Sequence, residues 1–209
     1  MDIDHLAIVA TDLDEGTSAV EQMLGAKLEP GGRHPVMGTH NRVLSLGSDV
    51  YLEVIAVDPE ADAPDRSRWF ALDEVSGPPR LGNWVARCTD LRAQLGEAPM
   101  GMGEVMEFER GDLAWSMAVP RSGRLPEDGI LPALIQWKGA RPQSRLAESP
   151  VKLKRIVLGH PEMERITAEW PALAQMTQVA LEITPTPSLV AEIVTPRGLV
   201  SLSSLGLAG

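Results

Sequence analysis

The chain has 209 residues, with 44% hydrophobic and 23% charged side chains and a formal net charge of −10. That length suits one domain or two small halves sharing a core, and the acidity argues against a nucleic-acid surface, which needs clustered Lys and Arg. A single cysteine, Cys88, excludes an intramolecular disulfide and a cysteine-rich zinc site.

The opening Met-Asp-Ile-Asp-His has neither a basic n-region nor an apolar h-region, so no signal peptide is expected. No apolar run approaches the roughly 20 residues of a membrane span, and the expected setting is the cytoplasm, with neither membrane nor nucleic acid as partner. Ile3 to Ala10 reads as a largely buried strand. Thr11 or Asp12 then caps a helix whose apolar stripe of Leu13, Ala19, Val20, Met23 and Leu24 ends at Gly25. A short strand is predicted around 26–29, followed by a Pro-Gly-Gly turn.

Residues 31–57, GGRHPVMGTHNRVLSLGSDVYLEVIAV, hold two of the four histidines in an apolar surround. Strands are predicted over 41–46 and 50–57, joined by a Gly47-Ser48-Asp49 turn. Alternation puts Tyr51, Glu53 and Ile55 on one face and Leu52 and Val54 on the other. A carboxylate among such residues needs a charged or hydrogen-bonding partner, and His5 on the first strand is the expected one. Arg33, His34, His40 and Asn41 form a polar cluster suited to an oxygen-rich small molecule. In it Arg33 can grip a carboxylate or phosphate at two points, and His34 or His40 can exchange a proton near neutral pH. The competing reading is a solvated loop capped by the Thr39 and Asn41 side chains. Gly31, Gly32 and Gly38 permit positive φ under either.

Residues 58–80 read as a connector with a helical turn near 67–72, where Trp69 and Phe70 either pack plainly or cover one end of a pocket. The opening phrase then returns: His-Leu-Ala-Ile-Val-Ala-Thr-Asp-Leu (5–13) is echoed by Asn-Trp-Val-Ala-Arg-Cys-Thr-Asp-Leu (83–91). A helix over 91–97 and strands over 105–109, 113–119 and 131–137 follow, repeating one supersecondary unit. Cys88 belongs to the apolar pattern and is read as inert core. Glu107 and Glu109 mark the wet face of a half-buried strand, while Met100, Met102 and Met106 fill gaps or line a soft apolar wall. The tail, 141–209, offers strands over 153–158, 179–183, 189–194 and 199–202, and a helix starting at Pro161. His160, just before that helix, is read as a surface cap. Gly-x-Gly-x-x-Gly, phosphate-loop and Gly-x-Ser-x-Gly motifs are missing, so no nucleotide cofactor and no serine hydrolysis are expected.

The phrases Asp-His-Leu-Ala-Ile-Val-Ala-Thr-Asp-Leu and Val-Tyr-Leu-Glu-Val-Ile-Ala-Val resemble the vicinal oxygen chelate superfamily, which includes glyoxalase I, extradiol dioxygenases and fosfomycin-resistance proteins. Gly-Gly-Arg-His-Pro-Val-Met-Gly-Thr-His-Asn-Arg followed by Tyr-Leu-Glu-Val-Ile resembles, more narrowly, the bacterial glyoxalase-like domain family. The resemblance implies an α+β fold: paired βαβββ modules forming a half-open, mostly antiparallel barrel around a cup. The modules are expected at 1–57 and 81–140, with a connector at 58–80 and a C-terminal extension, 141–209, resembling a partial third module. It further implies a divalent metal held by one ligand from the first and one from the last strand of each module. In this sequence those are His5 and Glu53, with Asn83 and Gln136 as weak second-half counterparts.

Two functions follow. One is a lyase, isomerase or dioxygenase-type enzyme acting on an oxygenated metabolite, with Glu53 and His40 as catalytic groups, His5 and Glu53 as metal ligands, and Arg33, His34, Asn41, Trp84 and Gln136 binding substrate. The other is a metal-free binding or sequestration module of the resistance type, with Trp84, Trp115 and Trp137 as apolar walls. Superfamily members often pair, so a homodimer is the expected assembly.

Overall fold

The computed structural model describes residues 1–47 and 49–207. Strand β1 (Asp2–Val9) is buried along almost its whole length, because strands flank it on both edges and both faces are covered. Helix α1 (Leu13–Leu24) follows at once. Asp12 is its N-cap, accepting from the Glu15 N–H at 2.9 Å, and Gly25 ends it at φ 68°. β2 (Glu29–His34), β3 (Thr39–Ser45) and β4 (Tyr51–Val57) complete the first module. Gly16 lets α1 lie close on β4: a Cβ there would stand 2.6 Å from Ala10 Cβ and 2.9 Å from Val54 Cγ1.

β2 runs through Pro30-Gly31-Gly32 instead of turning there. It is the edge strand, with irregular pairing between Pro30 and Arg33, which is where a residue without an N–H is tolerated. The turn expected at 47–49 contains Ser48, which lies outside the described residues.

The connector carries a 3-10 turn over Trp69–Glu74. The second module then repeats the order with β5 (Arg80–Arg87), α2 (Leu91–Glu97), β6 (Glu104–Arg110), β7 (Leu113–Val119) and β8 (Ala133–Trp137). The eight strands form one curled half-barrel sheet in the order β2-β3-β4-β1-β5-β8-β7-β6. β1 runs parallel to β4 and β5 to β8, and the other pairs are antiparallel. Within the modules the register matches: Ala7 stands opposite Glu53, and Val85, its echo, opposite Ala133.

Alternation along the central strands divides the interior into two apolar clusters. Leu6, Ile8, Leu52, Val54, Trp84 and Leu134 face outwards, towards α1, α2 and the extension. Ala7, Val9, Ile55, Val85, Ala133 and Ile135 face the cup, with Phe108, Trp115 and Met117 from the second module and Trp69 and Phe70 from the connector.

The extension repeats the element order of a module, with β9 (Lys152–Gly159), α3 (Met163–Glu169), a short α4 (Pro171–Ala174), β10 (Val179–Glu182), β11 (Ser188–Thr195) and β12 (Gly198–Ser203). It is threaded differently. Its sheet runs β10-β9-β11-β12, so the first strand pairs in parallel with the second and not with the fourth. β11 and β12 lie near β5, and Ile156, Leu189, Ile193, Leu202 and Trp170 join the outward-facing cluster of the large sheet.

Candidate functional site

Alternation on β4 sends Tyr51, Glu53 and Ile55 into the cup, as read from the sequence, and β1 presents His5 beside them. His5 Nε2 lies 3.5 Å from Glu53 Oε1, and Nδ1 lies 2.8 Å from Asp4 Oδ1. Asp4 is anchored in turn by the Trp137 indole N–H, which donates to its Oδ2 at 3.0 Å. Tyr51 stacks on the His5 ring with centroids 4.5 Å apart. Burial by itself works against an imidazolium here, but the bonds to Asp4 and Glu53 and their charges outweigh it and raise the His5 pKa to about 9. Glu53 is pulled the other way. Desolvation opposes its charge, yet the bond with His5, the nearby imidazoles and the Asn41 amide keep its pKa below the ordinary carboxylate range. Asn41 Nδ2 donates to Glu53 Oε2 at 2.6 Å, and Asn41 Oδ1 accepts from the Gly32 N–H at 2.8 Å.

His34 closes this polar wall with the opposite charge state. Burial first, with Arg110 among the opposing charges, drops its pKa to about 4. Its hydrogen bonds fit a neutral ring: Arg110 donates to Nε2 at 2.8 Å, which leaves Nδ1 to donate to Thr39 Oγ1 at 3.1 Å. Near neutral pH His34 is therefore an acceptor that positions Arg110, and not the acid–base group anticipated for it.

Arg110 and Asn41 each pass close to a glycine. A Cβ on Gly32 would stand 2.7 Å from Arg110 Cδ, and one on Gly31 would collide with the Asn41 amide. Neither has positive φ; of the three glycines that could adopt it, only Gly38 does, at 57°. Gly31 and Gly32 make room, whereas Gly38 makes a turn.

Around this core the cavity is lined by His5, His34, Asn41, Tyr51, Glu53 and Arg110, with Trp69, Phe70, Trp115, Met117, Ile135 and Trp137. Its volume is only about 30 Å³, room for a water molecule or two. Trp69 and Phe70 stack with centroids 5.8 Å apart over it. Phe70 and Ala71 are both held in the left-handed region, at φ 57° and 52°. A larger groove of about 940 Å³, between the 45–50 turn and residues 143–153, contains none of the histidines.

Several residues nominated from the sequence sit elsewhere. His40 lies one residue from Asn41 and hence on the opposite face of β3, shared with Arg42, whose guanidinium pairs with Asp14 of α1 at 3.0 Å. Arg33 is exposed and paired with Asp58 at 3.3 Å and Glu60 at 2.5 Å. Trp84 is wholly buried on the outward face, its indole N–H donating to Ile130 O at 2.8 Å. Gln136 also faces outwards and caps α2, its Oε1 accepting from the Leu91 N–H at 2.9 Å. The cup positions on β8 are Ile135 and Trp137, and the register makes Ala133 the counterpart of Glu53. Arg110 and Tyr51 were not nominated. Arg110 was legible, because alternation from Met106 and Phe108 puts it on the face opposite the wet Glu107 and Glu109.

The donor set does not make a divalent-metal site. Among the described residues no group of three or more His, Cys, Asp or Glu is placed to hold an ion. The second module supplies Ala133 where the first has Glu53. Asn83, the echo of His5, spends its amide nitrogen on Gly129 O at 3.0 Å. The Arg110 guanidinium adds a positive charge to the lining of the same cavity. Elsewhere, Cys88 is half-buried with its thiol pushed up to about 11, chiefly by desolvation, which keeps it protonated and unreactive. His160 is buried, with Nδ1 accepting from the Glu162 N–H at 3.0 Å, so it is a cap but not a surface one.

A half-barrel of paired βαβββ modules with its polar groups gathered inside the cup is the architecture of the vicinal oxygen chelate superfamily. Within it, the chain belongs to the glyoxalase-like domain family, whose model matches residues 3–174, both modules and part of the extension. None of the curated proteins matches the sequence. Among solved structures, a hypothetical protein from Staphylococcus aureus is similar at 14% identity and TM-score 0.59, covering 89% of this chain and 87% of that one. A methylmalonyl-CoA epimerase variant from Streptomyces coelicolor in complex with 2-nitronate-propionyl-CoA is similar at 17% identity and TM-score 0.44, covering 66% and 99%. The methylmalonyl-CoA epimerase from Mycobacterium tuberculosis is similar at 19% identity and TM-score 0.42, covering 68% and 91%. At these identities the likeness is one of fold.

Proposed function

We propose that the chain is a metal-independent enzyme that moves a proton on a small oxygenated substrate held in the cup, an isomerase or lyase reaction. The observation that carries it is Glu53: a buried carboxylate kept ionised beside the His5 imidazolium at 3.5 Å. A C–H proton next to a carbonyl would pass to a Glu53 oxygen, and the bonding electrons to the carbonyl oxygen as an enolate. His5, held charged by Asp4, and Arg110, aimed by His34, would stabilise that oxyanion in a water-poor site. The Trp69 indole N–H lines the cavity and has no acceptor among the described residues, so it is free to donate to a substrate oxygen. Return of the proton to the same or the neighbouring carbon completes isomerisation; loss of a leaving group β to the enolate completes a lyase step. The dioxygenase-type chemistry considered from the sequence needs a redox metal, for which the donors do not fit.

The test is solvent exchange. Chelator-treated protein in D₂O should exchange the C3 protons of pyruvate or 2-oxobutyrate faster than buffer does, by NMR, and Glu53→Gln should lower that rate roughly 100-fold or more, as loss of a general base does. Exchange equal in Glu53→Gln, or never above buffer, overturns the reading. The sequestration alternative is favoured by one observation, the aromatic lining of Trp69, Phe70, Trp115 and Trp137. It predicts carboxylate binding without exchange.

A further inference from the structure

Behind the Trp69–Phe70 turn lies a second cleft of about 420 Å³. Phe70 belongs to the lining of both this cleft and the inner cavity and is the residue they share. Beyond it the wall passes through Val9, Asn83, Leu125 and Ser204, so the second module, its 120–130 loop and the C-terminal extension all contribute. Asn83 is 2% exposed. Its orientation is fixed by Nδ2 donating to Gly129 O, and its Oδ1 is left without a donor among the described residues. Asn83 lines the cleft, and its buried amide oxygen is an acceptor left without a donor. The charges at the cleft cancel, Arg80 and Arg124 standing against Glu74 and Asp128, so charge does not choose the occupant.

We infer that the cleft is the far half of the substrate site, taking the tail of an elongated carboxylic acid that offers a hydroxyl or amide N–H to Asn83 Oδ1 once Phe70 swings aside. This rests on the reading of the inner cavity as the seat of an oxyanionic head. Phe70 and Ala71 are in the left-handed region, a strained conformation for non-glycine residues that a swing of the turn would relieve. The turn is held by the Ala71 N–H donating to Gly123 O at 2.9 Å, by Arg68 bonded to Asp73 and to Gly38 O, and by Arg124 bonded to Glu74. Along β1, His5 lines the inner cavity and Val9 the cleft, and four residues of strand rise separate them by roughly 13 Å. That is longer than anything the inner cavity of about 30 Å³ would take by itself.

The experiment is calorimetric titration of the full chain with unsubstituted acids from acetate to decanoate and with the matching ω-hydroxy acids. Affinity should rise sharply at one chain length, and at that length the hydroxy acid should bind about tenfold tighter than its plain counterpart. Asn83→Leu should erase the hydroxyl preference. Arg80→Trp, which fills the cleft without touching Asn83, should reduce the long acids to the affinity of the short ones and guards against a folding defect in Asn83→Leu. Binding independent of length, or a hydroxyl preference that survives Asn83→Leu, overturns the inference while leaving the inner-cavity reading in place. Failure of every acid to bind, with Arg110→Ala indistinguishable from the parent chain, overturns both.

Discussion

His5 and His34 line one cavity and are held in opposite charge states, and the difference comes from what each ring nitrogen meets. Carboxylates flank His5, so the folded chain keeps its proton up to about 9 where the unfolded chain releases it near 6.5. Stability from this group is complete below pH 6.5 and is lost as pH rises through 9. His34 meets Arg110 and a hydroxyl; the unfolded chain takes up a proton below 6.5 that the folded chain refuses until about 4, so stability is lost as pH falls across that interval. Together they place maximal stability near pH 6.5, with slopes of up to about 1.4 kcal/mol per pH unit on either side. Denaturant titrations between pH 4 and 9 check this, and a flat profile across the alkaline limb would refute the His5 assignment. Glu53→Gln removes a charge that favours protonation of both His5 and His34, so it should move the alkaline limb to lower pH and extend the acid limb to lower pH as well. Gly32→Ala is predicted to act on binding more than on folding. The new Cβ presses on the flexible Arg110 stem, so carboxylate affinity should fall about tenfold with the melting temperature shifted little.

At the level of the elements, the Trp69–Glu74 turn is under strain, as is the turn at Glu127 and Asp128. Ala71→Gly keeps the backbone bond to Gly123 and removes the left-handed penalty, so it should stabilise the chain by roughly 1 kcal/mol in thermal unfolding; a destabilised variant would show that the methyl group carries packing. The two ends of this turn illustrate what the sequence could reveal. Strand alternation was readable wherever the pattern was strict: Tyr51, Glu53 and Ile55 turn inwards together, and the Asp12 cap and Gly25 end of α1 stand where the letters put them. It failed where the identity of a residue outweighed its parity. Gln136 was aligned to Glu53 because both are polar, although the strand pairing matches Glu53 to Ala133, and His40 was drawn in although its neighbour Asn41 occupies the inward position. Arg33 lies outside the cup for another reason: Asp58 and Glu60, which hold it there, act across a distance in the chain that no local pattern encodes.

For the molecule as a whole, the extension is part of the same interior as the barrel. Trp170, Ile193 and Leu202 pack in one cluster with Leu6, Val54 and Trp84, so the chain should unfold as one cooperative unit. Trp170→Ala should cost about 3–5 kcal/mol, with far-ultraviolet dichroism and tryptophan fluorescence reporting a single coincident transition. Two separated transitions would mean that the extension is thermodynamically independent. Chelators should leave the melting temperature unchanged, since the polar wall is held by His5, Asp4, Asn41 and Glu53 bonded to one another. A drop of several degrees in EDTA would restore the metal.

The cup draws His5 and Glu53 from residues before 58, while Phe108, Arg110, Trp115 and Trp137 come from the strands after 103. Chemistry and appetite are thereby written in separate stretches of the gene. On the proposed proton transfer, a relative that exchanges Phe108, Trp115 or Trp137 would turn to a different foodstuff while keeping His5 and Glu53, and kin could share one reaction and still disagree about what they feed on.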